Sequence, residues 1–188
     1  SAATTQTLGD DFENANMATD PTADRLALCY IDEDNDIGVV RWTGAAWVTN
    51  VELTTVGISK SERSMDCMFE TTAGRTGYIQ AVYGDTTGSR YRIWNGAAWA
   101  AQASLPNLAT ALTYTSQLER TSFSGTILGA FFVPAVSSYY ESRWDGSAWS
   151  SATALETNAS VASAPYGQPF ALAAQKPAKQ GTLISTPI

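Results

Sequence analysis

A motif of the form W-x-G-x-x-W occurs three times in this chain of 188 residues. It reads WTGAAW, WNGAAW and WDGSAW, and its first tryptophan (Trp42, Trp94 and Trp144) recurs about every 50 residues. The Asn-Gly and Asp-Gly pairs favour tight hairpins because these residues tolerate a positive φ. The motif therefore predicts three equivalent β-hairpins, each with two tryptophans.

Each unit contains four apolar or alternating segments separated by turn sequences, which predicts four strands. A period near 50 residues is typical of propeller blades, each of which is a small antiparallel sheet. We therefore predict an all-β fold of antiparallel blade repeats, a small propeller of about four blades with one blade split between the termini. The expected single domain divides into three units and one partial unit: 10–55, 61–106, 113–157, and 1–9 together with 161–188.

The tryptophans of each hairpin are predicted to lie on one side of the sheet. A two-residue loop at Asn95-Gly96 would place Trp94 opposite Ala97 and Arg92 opposite Trp99, and residues two apart share a face. Such a pair either packs against the next unit or stacks on a ligand, and packing is favoured because buried indoles stabilise a small sheet. The candidate ligand-binding side chains are Trp42, Trp47, Trp94, Trp99, Trp144, Trp149 and Glu141.

The third hairpin, RWDGSAW preceded by SYYE, resembles the C-W-D-G-x-G-W repeat of fucose-binding propeller lectins. That family binds its sugar with an inner-strand arginine, a glutamate three residues before the first tryptophan, and the second tryptophan. Glu141 stands three residues before Trp144 here. The resemblance covers the hairpins, about a quarter of the chain, and implies a propeller fold. The sugar site is not carried over, because the arginine positions hold Leu28, Gln80 and Ala130.

Composition restricts the chemistry that is open to the chain. There is no histidine, so the usual general base and the commonest metal ligand are absent. The net charge of −7 would repel phosphate backbones, so no nucleic-acid partner is expected. No apolar run approaches the ~20 residues of a membrane span. An enzyme is not expected, although the carboxylates of Asp10, Asp11 and Glu13 leave a glycosidase fragment as an alternative.

Two smaller clusters are also candidate sites. Asp32, Asp34 and Asp36 alternate within one turn, where their carboxylates could converge on Ca²⁺, the one cofactor considered; a solvated acidic turn is the alternative. Cys29 and Cys67 could form one disulfide or could both be small buried residues.

The units also resemble the WDG-x-x-W propeller repeats of secreted and surface-anchored bacterial proteins, which often serve display, adhesion or assembly. This resemblance implies a non-catalytic extracellular or cell-surface protein, a display or assembly subunit. The strand edges of an incomplete final unit would recruit partners, so the chain is also a candidate for the outer globular part of a pilus-like filament. Its expected partners are further copies of itself, other surface-assembly subunits, or glycans. A carbohydrate-binding propeller lectin is the alternative function.

Overall fold

Three four-stranded antiparallel sheets follow one another along the residues that the structure, a computed structural model, describes: 11–48, 50–58, 60–121 and 125–158. Within each sheet, neighbouring strands are consecutive in the chain. Sheet 1 consists of β1 (Phe12–Thr19), β2 (Leu26–Asp32), β3 (Ile37–Trp42) and β4 (Val51–Thr54). Sheet 2 consists of β5 (Met65–Phe69), β6 (Ile79–Asp85), β7 (Gly88–Trp94) and β8 (Ala103–Ser104). Sheet 3 consists of β9 (Thr115–Arg120), β10 (Ile127–Val133), β11 (Ser138–Trp144) and β12 (Thr153–Glu156).

The prediction of an all-β fold built from antiparallel four-stranded repeats is confirmed. The predicted fourth unit, formed by residues 1–9 and 161–188, lies outside the described residues. No helix in the described ranges is long and apolar enough to cross a bilayer.

The hairpin loops contain four residues, and the predicted two-residue loops are wrong. Trp94 pairs directly with Trp99, and the same pairing joins the two tryptophans of the other hairpins. The predicted pairs, Trp94 with Ala97 and Arg92 with Trp99, are therefore not formed. Residues that face each other across a ladder project to the same side, so each tryptophan pair does share one face.

The side chain of the first loop residue explains the longer turn. The Asn95 Oδ1 atom accepts hydrogen bonds from the backbone N–H groups of Ala97 (3.0 Å) and Ala98 (2.8 Å). Only Gly96 among these four loop residues has a positive φ, +93°. Asn95 thus closes the turn with its side chain and not as a second left-handed residue.

Two apolar clusters hold the three sheets together. The cluster between sheets 1 and 2 has Trp94 and Trp99 packed against it. The cluster between sheets 2 and 3 contains Trp144 and Trp149, which are only 1% and 4% exposed. Both of these tryptophan pairs therefore pack against the sheet that precedes them in the chain.

The first tryptophan pair occupies a different environment. Val39 on β3 belongs to the cluster that faces sheet 2. Because strand residues alternate between faces, Trp42 projects from the opposite face, and its partner Trp47 projects with it. Both side chains are half-buried.

Cys29 on β2 and Cys67 on β5 are buried free thiols on facing sheets. The Cys67 thiol donates to the carbonyl oxygen of Ala27 (3.8 Å), and the Cys29 thiol donates to that of Asn16 (3.6 Å). Burial, together with the neighbouring Cys67 thiol, raises the pKa of Cys29. The two thiols form no disulfide in the structure and pack as small core residues.

One buried carboxylate connects all three sheets. Asp66 on β5 accepts hydrogen bonds from the backbone N–H groups of Leu118 in sheet 3 and Cys67 in sheet 2, both at 2.7 Å. It also accepts one from the side-chain amide of Asn16 in sheet 1. Arg63 Nη2 lies 3.7 Å from Asp66 Oδ2. Desolvation outweighs these donors and raises the pKa of Asp66 to about 6.

Replacing Trp149 by alanine should lower the free energy of unfolding by about 3–5 kcal/mol, because it removes a buried indole from the second cluster. Trp47→Ala is the matched control, since Trp47 has the same place in its hairpin but is half-buried. The decrease in the free energy of unfolding caused by Trp47→Ala, measured by urea unfolding, should be clearly smaller. Equal losses for the two variants would contradict the packing described above.

The raised pKa of Asp66 predicts a pH-dependent stability. The folded state holds the Asp66 proton up to a pH of about 6, whereas the unfolded chain releases it near 3.8. Lowering the pH from 7 to 4.5 should therefore increase the free energy of unfolding, with a contribution on the order of 2 kcal/mol. Urea unfolding across this range should show the increase in the native protein and lack this contribution in Asp66→Asn. An identical pH dependence in both proteins would show that Asp66 is not the group responsible.

Candidate ligand pocket between sheets 1 and 2

A cavity of about 230 Å³ lies between sheets 1 and 2, beside their tryptophan hairpins; we call it the Arg41 pocket. Sheet 2 contributes Phe69, Ile79 and Trp94, and sheet 1 contributes Arg25 and Arg41. The other lining residues are Leu26, Trp42, Thr43, Gly77 and Gly96. The pocket therefore combines apolar side chains with two cations and has no acidic lining residue.

Arg41 carries an uncompensated charge. It lies on β3 opposite Ala27, on the face that points towards sheet 2, and its Cζ atom is 3.5 Å from the ring centroid of Trp94. No carboxylate among the described residues forms an ion pair with Arg41. Burial lowers the pKa of Arg41, because the guanidinium loses water and gains no counter-ion in exchange. Stacking on Trp94 occupies one face of the guanidinium and leaves its N–H edge available.

Arg25 is held and neutralised by its own turn. Its Nη2 atom lies 2.5 Å from Asp20 Oδ2, and Asp20 is buried. The guanidinium reaches across to sheet 2 and lies against the backbone of Gly77, where a Cβ atom would come within 2.5 Å of Nη2. A glycine at this position, which also has a φ of +84°, permits the contact. The pair leaves Arg41 as the source of the pocket's net positive charge.

The corresponding space between sheets 2 and 3 is filled by a hydrogen-bonded network. Its centre is Glu70, a fully buried carboxylate. Arg75 donates two hydrogen bonds to it, at 2.7 and 2.8 Å. Gln80 Nε2 donates a third, at 2.7 Å, and Trp144 Nε1 donates a fourth, at 2.9 Å. Every carboxylate oxygen of Glu70 is therefore satisfied from within the protein.

Strand register identifies the equivalent residues of the two interfaces. Leu26 pairs with Trp42 as Ile79 pairs with Trp94. Asp20, which follows β1, therefore corresponds to Glu70, which follows β5. Arg25 and Arg75 each stand five residues after this acid and correspond in that way. By the strand register Ala27 corresponds to Gln80, Arg41 to Ile93, and Trp94 to Trp144.

These differences explain why one interface is open. The Asp20 side chain is one methylene shorter than that of Glu70, and Ala27 lacks the side-chain amide that Gln80 provides. The indole N–H of Trp94 consequently donates no hydrogen bond within the described residues, whereas that of Trp144 does. Arg41 replaces Ile93, which packs in the apolar cluster of the closed interface. The Arg41 pocket therefore offers two kinds of unused donor, a guanidinium edge and an indole N–H.

The structure separates the candidate side chains that the sequence indicated. The Trp94 ring lines the Arg41 pocket, and Trp42 also borders it although its side chain projects from the opposite face of sheet 1. Trp144 and Trp149 are buried in the second cluster. Trp99 packs against the first cluster, and Trp47 contacts Trp42. Glu141 lies on β11, where its Oε1 atom is 3.4 Å from Arg143 Nη2. These residues do not form a single site.

The acidic turn has a structural role. Asp32 is buried, and its Oδ1 atom accepts hydrogen bonds from the backbone N–H groups of Asp34 (3.1 Å) and Asp36 (2.8 Å). Within the described residues no group of three or more metal-ligating side chains is arranged to hold a metal ion. Calcium binding by these residues stays a prediction from the sequence.

Arg25 and Arg41 were not identified from the sequence. A signal for Arg25 is present, because Thr-Ala-x-Arg occurs as TADR at 22–25 and again as TAGR at 72–75, about 50 residues later. Arg41 has no comparable signal, since its distinctive feature is contact with Trp94 of another sheet.

Comparison with known proteins supports the fold. No protein-family model matches the chain, and no curated protein matches it. AofleA from Arthrobotrys oligospora superposes with a TM-score of 0.52 at 14% identity, over 80% of this chain and 45% of that one. A triple arginine-to-alanine mutant of AofleA superposes with a TM-score of 0.54 at 13% identity, over 78% of this chain and 43% of the mutant's chain. A lectin from Aleuria aurantia, described as a six-bladed β-propeller with a novel fucose recognition mode, gives 0.49 at 18% identity, over 79% and 47%.

The chain spans less than half the length of these solved structures. At 13–14% identity the likeness to the two AofleA structures concerns the fold alone. The antiparallel repeat architecture of this chain is thus one that occurs in larger proteins of known structure.

Proposed function

We propose that this domain binds carbohydrate in the Arg41 pocket. The observation that carries the proposal is the set of unused donors beside an aromatic ring: the guanidinium edge of Arg41 and the indole N–H of Trp94. Sugar hydroxyls accept hydrogen bonds from such donors, and the C–H faces of a sugar pack on aromatic and aliphatic side chains such as Phe69 and Ile79. A volume of about 230 Å³ is below the ~300–1,000 Å³ of sites for drug-sized ligands and suits a single sugar residue.

The resemblance of the WDGSAW hairpin to the repeats of fucose-binding propeller lectins supports this function. The arrangement is nevertheless different from the family's site, because the arginine here comes from β3, directly before the first tryptophan of the hairpin. Carbohydrate binding, the alternative reading of the sequence, is thus preferred to a purely structural role. A role in display or filament assembly stays a prediction from the sequence.

Arg41→Ile tests the site with little risk to the fold. It introduces the side chain that Ile93 places at the equivalent position, where it packs against the second cluster. Arg143→Ile is the matched control, because Arg143 is the third residue of this repeat position and its side chain is 64% exposed. A glycan array should first identify the bound sugar, and calorimetry should then measure its affinity for each variant.

We expect Arg41→Ile to weaken the affinity at least about tenfold, a loss of ~1.4 kcal/mol, while Arg143→Ile leaves it unchanged. Circular dichroism should show that both variants are folded. Undiminished affinity in Arg41→Ile, or no sugar bound by the native protein, would rule out the proposed site.

A further inference from the structure

The charge of the Arg41 pocket restricts the kind of sugar that fits it. Its lining contains two arginines and no acidic residue. Asp20 neutralises Arg25, but no described carboxylate lies within ion-pair distance of Arg41. A neutral sugar would leave this half-buried cation without a counter-ion, whereas a carboxylated sugar would provide one.

The orientation of Arg41 suits a carboxylate in particular. Because the face of its guanidinium lies on the Trp94 ring, the N–H groups at the edge point away from the stack. Two parallel N–H groups match the two oxygens of a carboxylate, and such bidentate pairs are stronger than hydrogen bonds between neutral groups. The indole N–H of Trp94 adds a donor that a sugar hydroxyl can use.

The closed interface supports this assignment. There a carboxylate of the protein, Glu70, occupies the centre of the network and binds Arg75 in a bidentate manner. It also accepts the indole N–H of Trp144, the residue equivalent to Trp94. The open interface retains the tryptophan and the arginine of the turn, Arg25, but has a shorter acid, which stays with Arg25. Arg41 is additional, because the closed interface has Ile93 at that position.

The overall charge of the chain limits the size of an acidic ligand. A net charge of −7 repels long polyanions, so the attraction of Arg41 acts mainly at short range. A single acidic residue at the end of a glycan meets less of this repulsion than an acidic polymer does.

We infer that the Arg41 pocket selects a terminal carboxylated sugar, a uronic or sialic acid, whose carboxylate pairs with the Arg41 guanidinium. This inference rests on the proposed function, since it specifies the ligand class of the same pocket.

The test compares acids with their uncharged methyl esters. Glucuronic, galacturonic and N-acetylneuraminic acid, and the methyl ester of each, are titrated into the full chain by calorimetry. We expect at least one acid to bind about tenfold or more tightly than its ester. Arg41→Gln keeps a polar side chain but removes the charge, so it should abolish this difference. The matched Arg143→Gln variant should retain it.

Each of the other outcomes contradicts a different part of the proposal. If esters or neutral sugars bind as tightly as the acids, the carboxylate inference fails and carbohydrate binding stands. If an acid is preferred but the preference survives in Arg41→Gln, the assignment to Arg41 fails. If neither the acids nor any neutral sugar binds, both the inference and the proposed function fail.

Discussion

The packing of a tryptophan pair onto the preceding sheet is the interaction on which the rest of this structure depends. Each pair is brought together by a four-residue loop, so both indoles project from one face and cover a large apolar area. Trp144 and Trp149 show the full form of this contact, because both are buried against sheet 2. The spacing of the motif therefore determines how the sheets follow one another, and the strands between the motifs supply the facing surface.

The two interfaces between sheets are built from equivalent strands but differ in what lies between them. The strands of the three sheets pair in an equivalent register, yet a carboxylate network lies between sheets 2 and 3 and a cavity lies between sheets 1 and 2. The two interfaces differ at a few equivalent positions, among them Ala27 against Gln80 and Arg41 against Ile93. Arg41 stacks on Trp94 but has no counter-ion among the described residues, and this is the physical basis of the proposed ligand site.

Much of the fold followed from local patterns in the sequence. Segments such as FENANMAT, which is β1 residue for residue, combine alternation with clear turn sequences at both ends. The loop register could not be predicted from Asn-Gly alone, because it depends on the hydrogen bonds that the Asn95 side chain forms. The position of the pocket could not be predicted either, because Arg41 contacts Trp94, which is close in space but distant in sequence. Four of the six tryptophans that suggested a binding platform pack in or against the clusters between sheets, and of these only Trp94 also lines the pocket.

The most direct test of this account is the hydrogen exchange of the two equivalent indole N–H groups, measured by NMR and assigned with Trp94→Phe and Trp144→Phe variants. The Trp144 N–H is buried and bonded to Glu70, whereas the Trp94 N–H has no acceptor within the described residues. Exchange at Trp144 should therefore be at least about tenfold slower, as one hydrogen bond of roughly 1–1.5 kcal/mol implies. Equal protection of the two groups would show that both interfaces are closed and would contradict the existence of an open pocket at Arg41.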